Sequence, residues 1–213
     1  MTGAGAAMRR VFTDMDRQAL DPEQIEALAG LSARVRELVE AVVLTDVPVA
    51  DIEAAADRIR AITEGLDFAR RPAPPVADLD GGGIVRQLAS PVTGPLNPIA
   101  PPIEMVALPD GTARTTFTLS PVYEGPPGFV HGGVSAMILD HLAGSAALLN
   151  GTPGMTASLE LRYRRPTPHS VPLTAEAKTD RVEGRKTFVE ARIFGADGRS
   201  TVEATAMFMM PTR

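Results

Sequence analysis

The chain has 213 residues, 44% of them hydrophobic and 22% charged, enough apolar material for one folded domain with an appendage and too much for a wholly disordered chain. It has no Cys and no Trp, which excludes disulfides, thiolate metal sites and a Cys nucleophile. The net charge of −5 is uneven: residues 1–70 carry 8 Arg against 13 acids, and residues 111–213 carry 11 Arg and Lys against 9 acids, so the acidic N-terminal third does not suit nucleic acid.

The opening residues, MTGAGAAMRR, lack the apolar stretch of an export signal, and Asp14, Asp16 and Asp21 argue against a transit peptide. No apolar run is read as approaching the ~18 residues of a membrane span. A cytoplasmic protein without a span is therefore expected. Residues 21–44 predict a helix, with Asp21 as N-cap, Pro22 at its first position and Ile25, Leu28, Leu31, Val35, Leu38 and Val42 at spacings of three and four. Pro48 opens a second helix over about 48–65, with Gly65 at its end. Neither can bury its apolar stripe alone, so the pair is expected to pack on something else. Residues 1–70 thus form a helical extension.

Residues 71–110 contain RPAPP, GGG and SPVTGPLNPIAPP. Proline removes backbone donors and fixes φ, so this is a connecting segment and edge strand lying across the main domain. From 111 to 213 the pattern is that of an α+β domain. TARTTFTL (112–119) alternates as a strand does. VSAMILDHLAGSAALL (134–149) is a helix apolar nearly all round, stopped by Asn150-Gly151. Four strands follow, at about 155–164, 171–182, 186–194 and 200–209. A sheet wrapped round that helix is the expected architecture.

The segment Gly128-Phe129-Val130-His131-Gly132-Gly133 leads into that helix, which carries a single acid, Asp140. Glycines permit close approach to a ligand, and the first N–H groups of a helix have no internal acceptor. Gly132 N–H is therefore a candidate oxyanion donor, with His131 beside it. Asp140 lies nine residues after His131, about two and a half turns and 13.5 Å along a helix. The two side chains do not converge within one chain, so a shared site requires two subunits, each giving its His131 to the other's Asp140.

GFVHGGVSAMILDH resembles the signature of the hotdog-fold acyl-CoA thioesterases, most nearly the PaaI-like group and the human long-chain enzymes of that fold. TASLELRYRRPTP (156–168), VEGRKTFVEARI (182–193) and, less specifically, SPVTGPLNP (90–98) extend the resemblance over about residues 90–213. It implies a hotdog domain over 111–213 that hydrolyses a fatty or aromatic acyl-CoA to acid and CoA, as a homodimer or dimer of dimers. By the same resemblance Gly132 N–H binds the thioester oxygen and His131 positions the carbonyl or the loop. Asp140 is general base or nucleophile, and Thr156 holds the water and the carboxylate. Phe129 and Gly133 line the substrate. Some relatives have Asn six residues before the His, where this chain has Gly125. A thiolate leaves readily, so a base and an oxyanion donor suffice, and no metal or organic cofactor is implied. Arg164, Arg165, Arg185 and Lys186 are candidates for the CoA phosphates.

Plainer readings stand beside these. Asp140 also suits a helix–helix hydrogen bond at an interface, Thr156 an ordinary strand position, and Arg164 with Arg165 a solvated strand end. His141 reads as a satisfied core or interface residue and His169 as surface loop. His131, Asp140 and His141 do not have metal-ligand spacing. A non-catalytic acyl-CoA sensor or docking module, and a hydratase on the same fold, are the alternative functions.

Overall fold

The computed structural model describes residues 18–78, 85–101 and 103–210. The GGG run at 81–83 and the opening 17 residues, on which the targeting expectation rests, lie outside them. The described residues contain three long helices. Helix α1 is Pro22–Leu44, α2 is Val49–Asp67 and α3 is Gly132–Leu149. Strands β1 (Val76–Asp78) and β2 (Val85–Gln87) form a small antiparallel pair. The remaining strands are β3 (Val106–Ala107), β4 (Ala113–Thr118), β5 (Met155–Tyr163), β6 (Pro172–Glu183), β7 (Lys186–Phe194) and β8 (Ser200–Met209). They make one antiparallel sheet in the order β3-β4-β6-β7-β8-β5.

Helix α3 lies across that sheet, and this is the hotdog arrangement expected from the sequence. The helix ends as its last residues predict: Asn150 N–H donates to Ala146 O, and Gly151 takes φ 74°. The wrapping is one-sided, however. Ile138, Leu139, Leu142, Ala143, Ala146 and Ala147 are buried, a stripe one helix face wide. Each of the two leucines contributes about 1.5–3 kcal/mol by leaving water. The opposite face is only half-covered, and Leu148 is 62% exposed. Nor is the apolar run short: the 18 residues of α3 are by length and composition apolar enough to cross a membrane. One charge, Asp140, interrupts it, and the fold directs its buried stripe at the sheet.

The sheet's outer face carries a row of alternating charge. Arg114 opposes Glu176, Glu176 opposes Arg192, Arg192 opposes Glu203, and Glu203 opposes Arg162. Of these oppositions Arg114 with Glu176 closes to an ion pair, at 3.2 Å, and such exposed pairs add little stability. A slip of one residue would flip these side chains inward, so the row favours the observed register.

The extension is anchored at one end. Asp21 caps α1 by accepting the Gln24 N–H at 2.8 Å. Leu20, Ala77 and Leu88 form a second small core, against which Ile25, Leu28 and Leu96 pack. Arg36 donates to Ala100 O at 3.0 Å and to Asn97 O at 3.3 Å, so α1 is held to the proline-rich segment, which lies across the domain. Helix α2 has no buried residue. Gly65 does not end it, because the helix runs on to Asp67; without positive φ at that residue the ladder continues.

Candidate active site

Two clusters lie at opposite ends of β5. At the first, His131 is the N-cap of α3, and its Nδ1 accepts the Gly133 N–H at 3.0 Å. That bond assigns the proton of the neutral ring to Nε2. Gly132 N–H has no acceptor among the described residues and sits at the positive end of the helix dipole. Its carbonyl accepts the Tyr163 hydroxyl at 3.0 Å. A Cβ on Gly132 would stand 3.2 Å from the Tyr163 ring, so a side chain there would have to push that exposed ring aside by a few tenths of an ångström. Phe129 is 37% exposed on the loop before the helix, and Gly133 N–H is already engaged by His131.

At the second cluster, Asp140 Oδ1 accepts the Thr156 hydroxyl at 3.0 Å. Both line a groove of about 610 Å³ whose apolar wall includes Val92, Met137, Met155 and Phe208. His131 and Gly132 do not line it. The structure therefore brings Asp140 together with Thr156 and His131 with Gly132, and keeps the two pairs apart within one chain.

A β-bulge makes both clusters possible. Thr156 pairs with Phe208 and Ser158 with Met207, leaving Ala157 as the extra residue. Below the bulge Leu159, Leu161 and Tyr163 oppose the buried Ala206, Ala204 and Val202 and so face the helix. Strict alternation would turn Thr156 outward with the even-numbered residues. The extra residue returns it to the helix face, beside Asp140.

The groove is roofed by the proline-rich segment. Ser90 Oγ accepts from Val92 N–H at 3.2 Å and Thr93 N–H at 3.4 Å, and a Cβ on Gly94 would stand 2.3 Å from Ser90 N. Thr93 Oγ1 lies 3.2 Å from His141 Nε2. Burial holds the His141 pKa below its ordinary value, against the opposing pull of Asp140. The unfolded chain thus takes up this proton first. The stability His141 supplies is complete above about pH 6.5, the unfolded value, and falls as pH drops from there towards the folded value. The melting temperature of the wild type is expected to fall more between pH 8 and pH 5 than that of His141→Gln. Identical slopes would remove His141 as a contributor.

The four candidate cations are placed differently. Arg164 is paired with Glu203 at 2.7 Å. Arg165 donates to Ser200 O at 2.7 Å and pairs with Asp197 at 3.4 Å. Arg185 donates twice to Met210 O, at 3.0 and 2.7 Å. Lys186 is exposed, and Lys186, Met209 and Met155 stand side by side across three strands, which puts that corner at the Asp140 end of β5. Tyr163, Glu124 and His169, which contact or hold the His131 loop, were given no functional role by the sequence. The Tyr163 contact joins residues 31 apart, and no local pattern announces it. No cluster of three or more His, Asp or Glu suited to a metal ion occurs among the described residues.

A model described as the thioesterase superfamily matches residues 127–202, from the loop before α3 into β8. The crystal structure of a thioesterase superfamily protein is 40% identical, with a TM-score of 0.77, covering 85% of this chain and 94% of its own. The chain belongs to the thioesterase superfamily. That 85% exceeds what residues 90–213 can supply, so this superfamily relative shares part of the N-terminal extension as well. Acyl-coenzyme A thioesterase THEM4 of Xenopus laevis is 37% identical over 94 residues, 44% of this chain and 42% of the relative. THEM4 of Mus musculus is 39% identical over 87 residues, 40% of this chain and 37% of the relative. The alignments thus span less than half the length of these curated relatives.

Proposed function

We propose that this thioesterase-superfamily protein is an acyl-CoA hydrolase whose active sites are completed between two copies of the chain. The observation that carries the reading is the Asp140–Thr156 pair, a carboxylate oriented by a hydroxyl on the wall of a largely apolar groove. A carboxylate so held can take a proton from water, and the apolar wall suits an acyl chain. The names of the THEM4 relatives point the same way.

The topology of β5 supports the dimer. It pairs with β8 on one side and has no strand on the other among the described residues. Its start holds Thr156 and Asp140, and its end holds Tyr163 and Gly132. Two copies of β5 pairing antiparallel about a two-fold axis set the start of one beside the end of the other. Each Asp140 then meets the other chain's His131 and Gly132. The same pairing carries the exposed Lys186 corner of one chain to the far end of the other chain's β5, a cation for CoA phosphates, while Arg164 and Arg165 at that end are held by Glu203 and Asp197.

In the reaction, Asp140 takes a proton as the water oxygen attacks the thioester carbon. The carbonyl oxygen becomes an oxyanion held by Gly132 N–H and His131 Nε2–H. The C–S bond breaks, the CoA thiolate leaves, and the proton on Asp140 returns to it. A cytoplasmic location belongs to the same reading. The test is release of CoA thiol from a panel of saturated and aromatic acyl-CoAs. Turnover of at least one member is expected, and its identity sets the chain preference. Binding without hydrolysis across the panel would make the protein an acyl-CoA sensor instead.

A further inference from the structure

Glu124 and His169 have no part in the chemistry proposed above, yet they hold the loop that delivers it. The turn 123–131 closes on itself: His131 N–H donates to Tyr123 O at 2.9 Å and Gly125 N–H to Phe129 O at 2.9 Å. A Cβ on Gly125 would stand 2.8 Å from His131 Cα, so the start of the turn presses on its end. At the tip, Gly128 has φ 83° and donates its N–H to Glu124 Oε2 at 2.8 Å. The same oxygen lies 2.8 Å from His169 Nε2, on the β5–β6 connection. The Gly128 N–H, and after it His169, hold the Glu124 carboxyl below its usual pKa.

His169 is itself held. Its side chain is only 15% exposed, and its Nδ1 lies 2.8 Å from the Ser170 hydroxyl. Ser170 is the single non-glycine residue with positive φ among the described residues, at 60°, and its N–H donates to Leu119 O at 2.7 Å. Such a conformation persists where the surroundings over-determine it. A chain of contacts therefore runs from the sheet domain through Ser170, His169 and Glu124 to Gly128, and across the turn to His131.

We propose that Glu124 and His169 are positioning residues that clasp the turn 123–131, aiming the Gly132 N–H and His131 Nε2–H at the thioester oxygen without touching substrate. The proposal rests on the hydrolase reading. A misplacement of about 1 Å in such donors can cost on the order of 10²-fold in rate. A pair serving stability alone would change melting temperature and leave kcat as it was.

The experiment is steady-state kinetics on the best acyl-CoA of the panel, with circular dichroism and melting curves. Glu124→Ala and His169→Ala are expected to lose about 10- to 100-fold in kcat, with KM within about two-fold and the fold intact. His169→Gln, whose amide nitrogen reaches the Nε2 position, is expected to recover most of that loss. Should His169→Ala unfold, His169→Leu keeps the volume without the donor and takes its place. Near-wild-type kcat in folded variants lacking the Glu124 or His169 contact overturns the clasp and leaves the hydrolase reading standing. A wild type that turns over no acyl-CoA removes both.

Discussion

Replacing Asp140 by Asn is expected to lower kcat about 10²- to 10⁴-fold, the range set by loss of a general base. The substitution is nearly isosteric, and an amide oxygen can still accept the Thr156 hydroxyl that Oδ1 accepts at 3.0 Å. Asp140 is half-exposed on the uncovered face of α3, so neutralising it leaves the buried stripe of the helix untouched. What disappears is the capacity to take a proton from water. Circular dichroism, melting temperature and acyl-CoA affinity should therefore stay near wild type while CoA release falls by that factor. A variant retaining kcat within about ten-fold of wild type at saturating substrate would remove Asp140 from the mechanism.

Two inactive chains are expected to restore activity when combined in one dimer. The first is Asp140→Asn. The second is Gly132→Pro, which deletes the N–H at the first helical turn, where proline is tolerated. If each site takes Asp140 from one chain and Gly132 from the other, the heterodimer holds one site with both defects and one with neither. Differently tagged chains, co-expressed and purified through both tags, should then give about half the wild-type activity per dimer. If each site instead lies within one chain, both sites of the heterodimer stay damaged, and its activity matches the inactive parents. The separation of the two clusters along β5 favours the first outcome. The close packing of the Tyr163 ring on Gly132 makes a folding control on Gly132→Pro essential.

Much of the candidate site was legible because it is local. Gly128, the N-cap His131, the two glycines that open α3 and the lone acid of that apolar helix fall within thirteen residues, and helix geometry alone separates His131 from Asp140. The limits of α1 followed from Asp21, Pro22 and its three-and-four spacing. Other features depend on distant strands and loops. The hold of Glu124 by His169 spans 45 residues, and Arg164 and Arg165, expected to be open to phosphates, are drawn to Glu203 and Asp197 across the sheet. Charge in a sequence does not say which partner it will meet.

By itself the sequence determined the composition limits, the order of the three helices and of strands β4 to β8, and the placing of His131, Gly132 and Asp140 along α3, because turn residues and side-chain periodicity act over a few positions. Tertiary structure alone decided three things. The bulge at Ala157 reverses the parity of β5 and turns Thr156 to the helix face. Arg36 and the small core around Leu20, Ala77 and Leu88 tie the extension to the segment that roofs the groove. The sheet covers one face of α3 and leaves the Asp140 face half-open, because a sheet packs against one side of a helix. An apolar pattern around the whole helix cannot say which side that is.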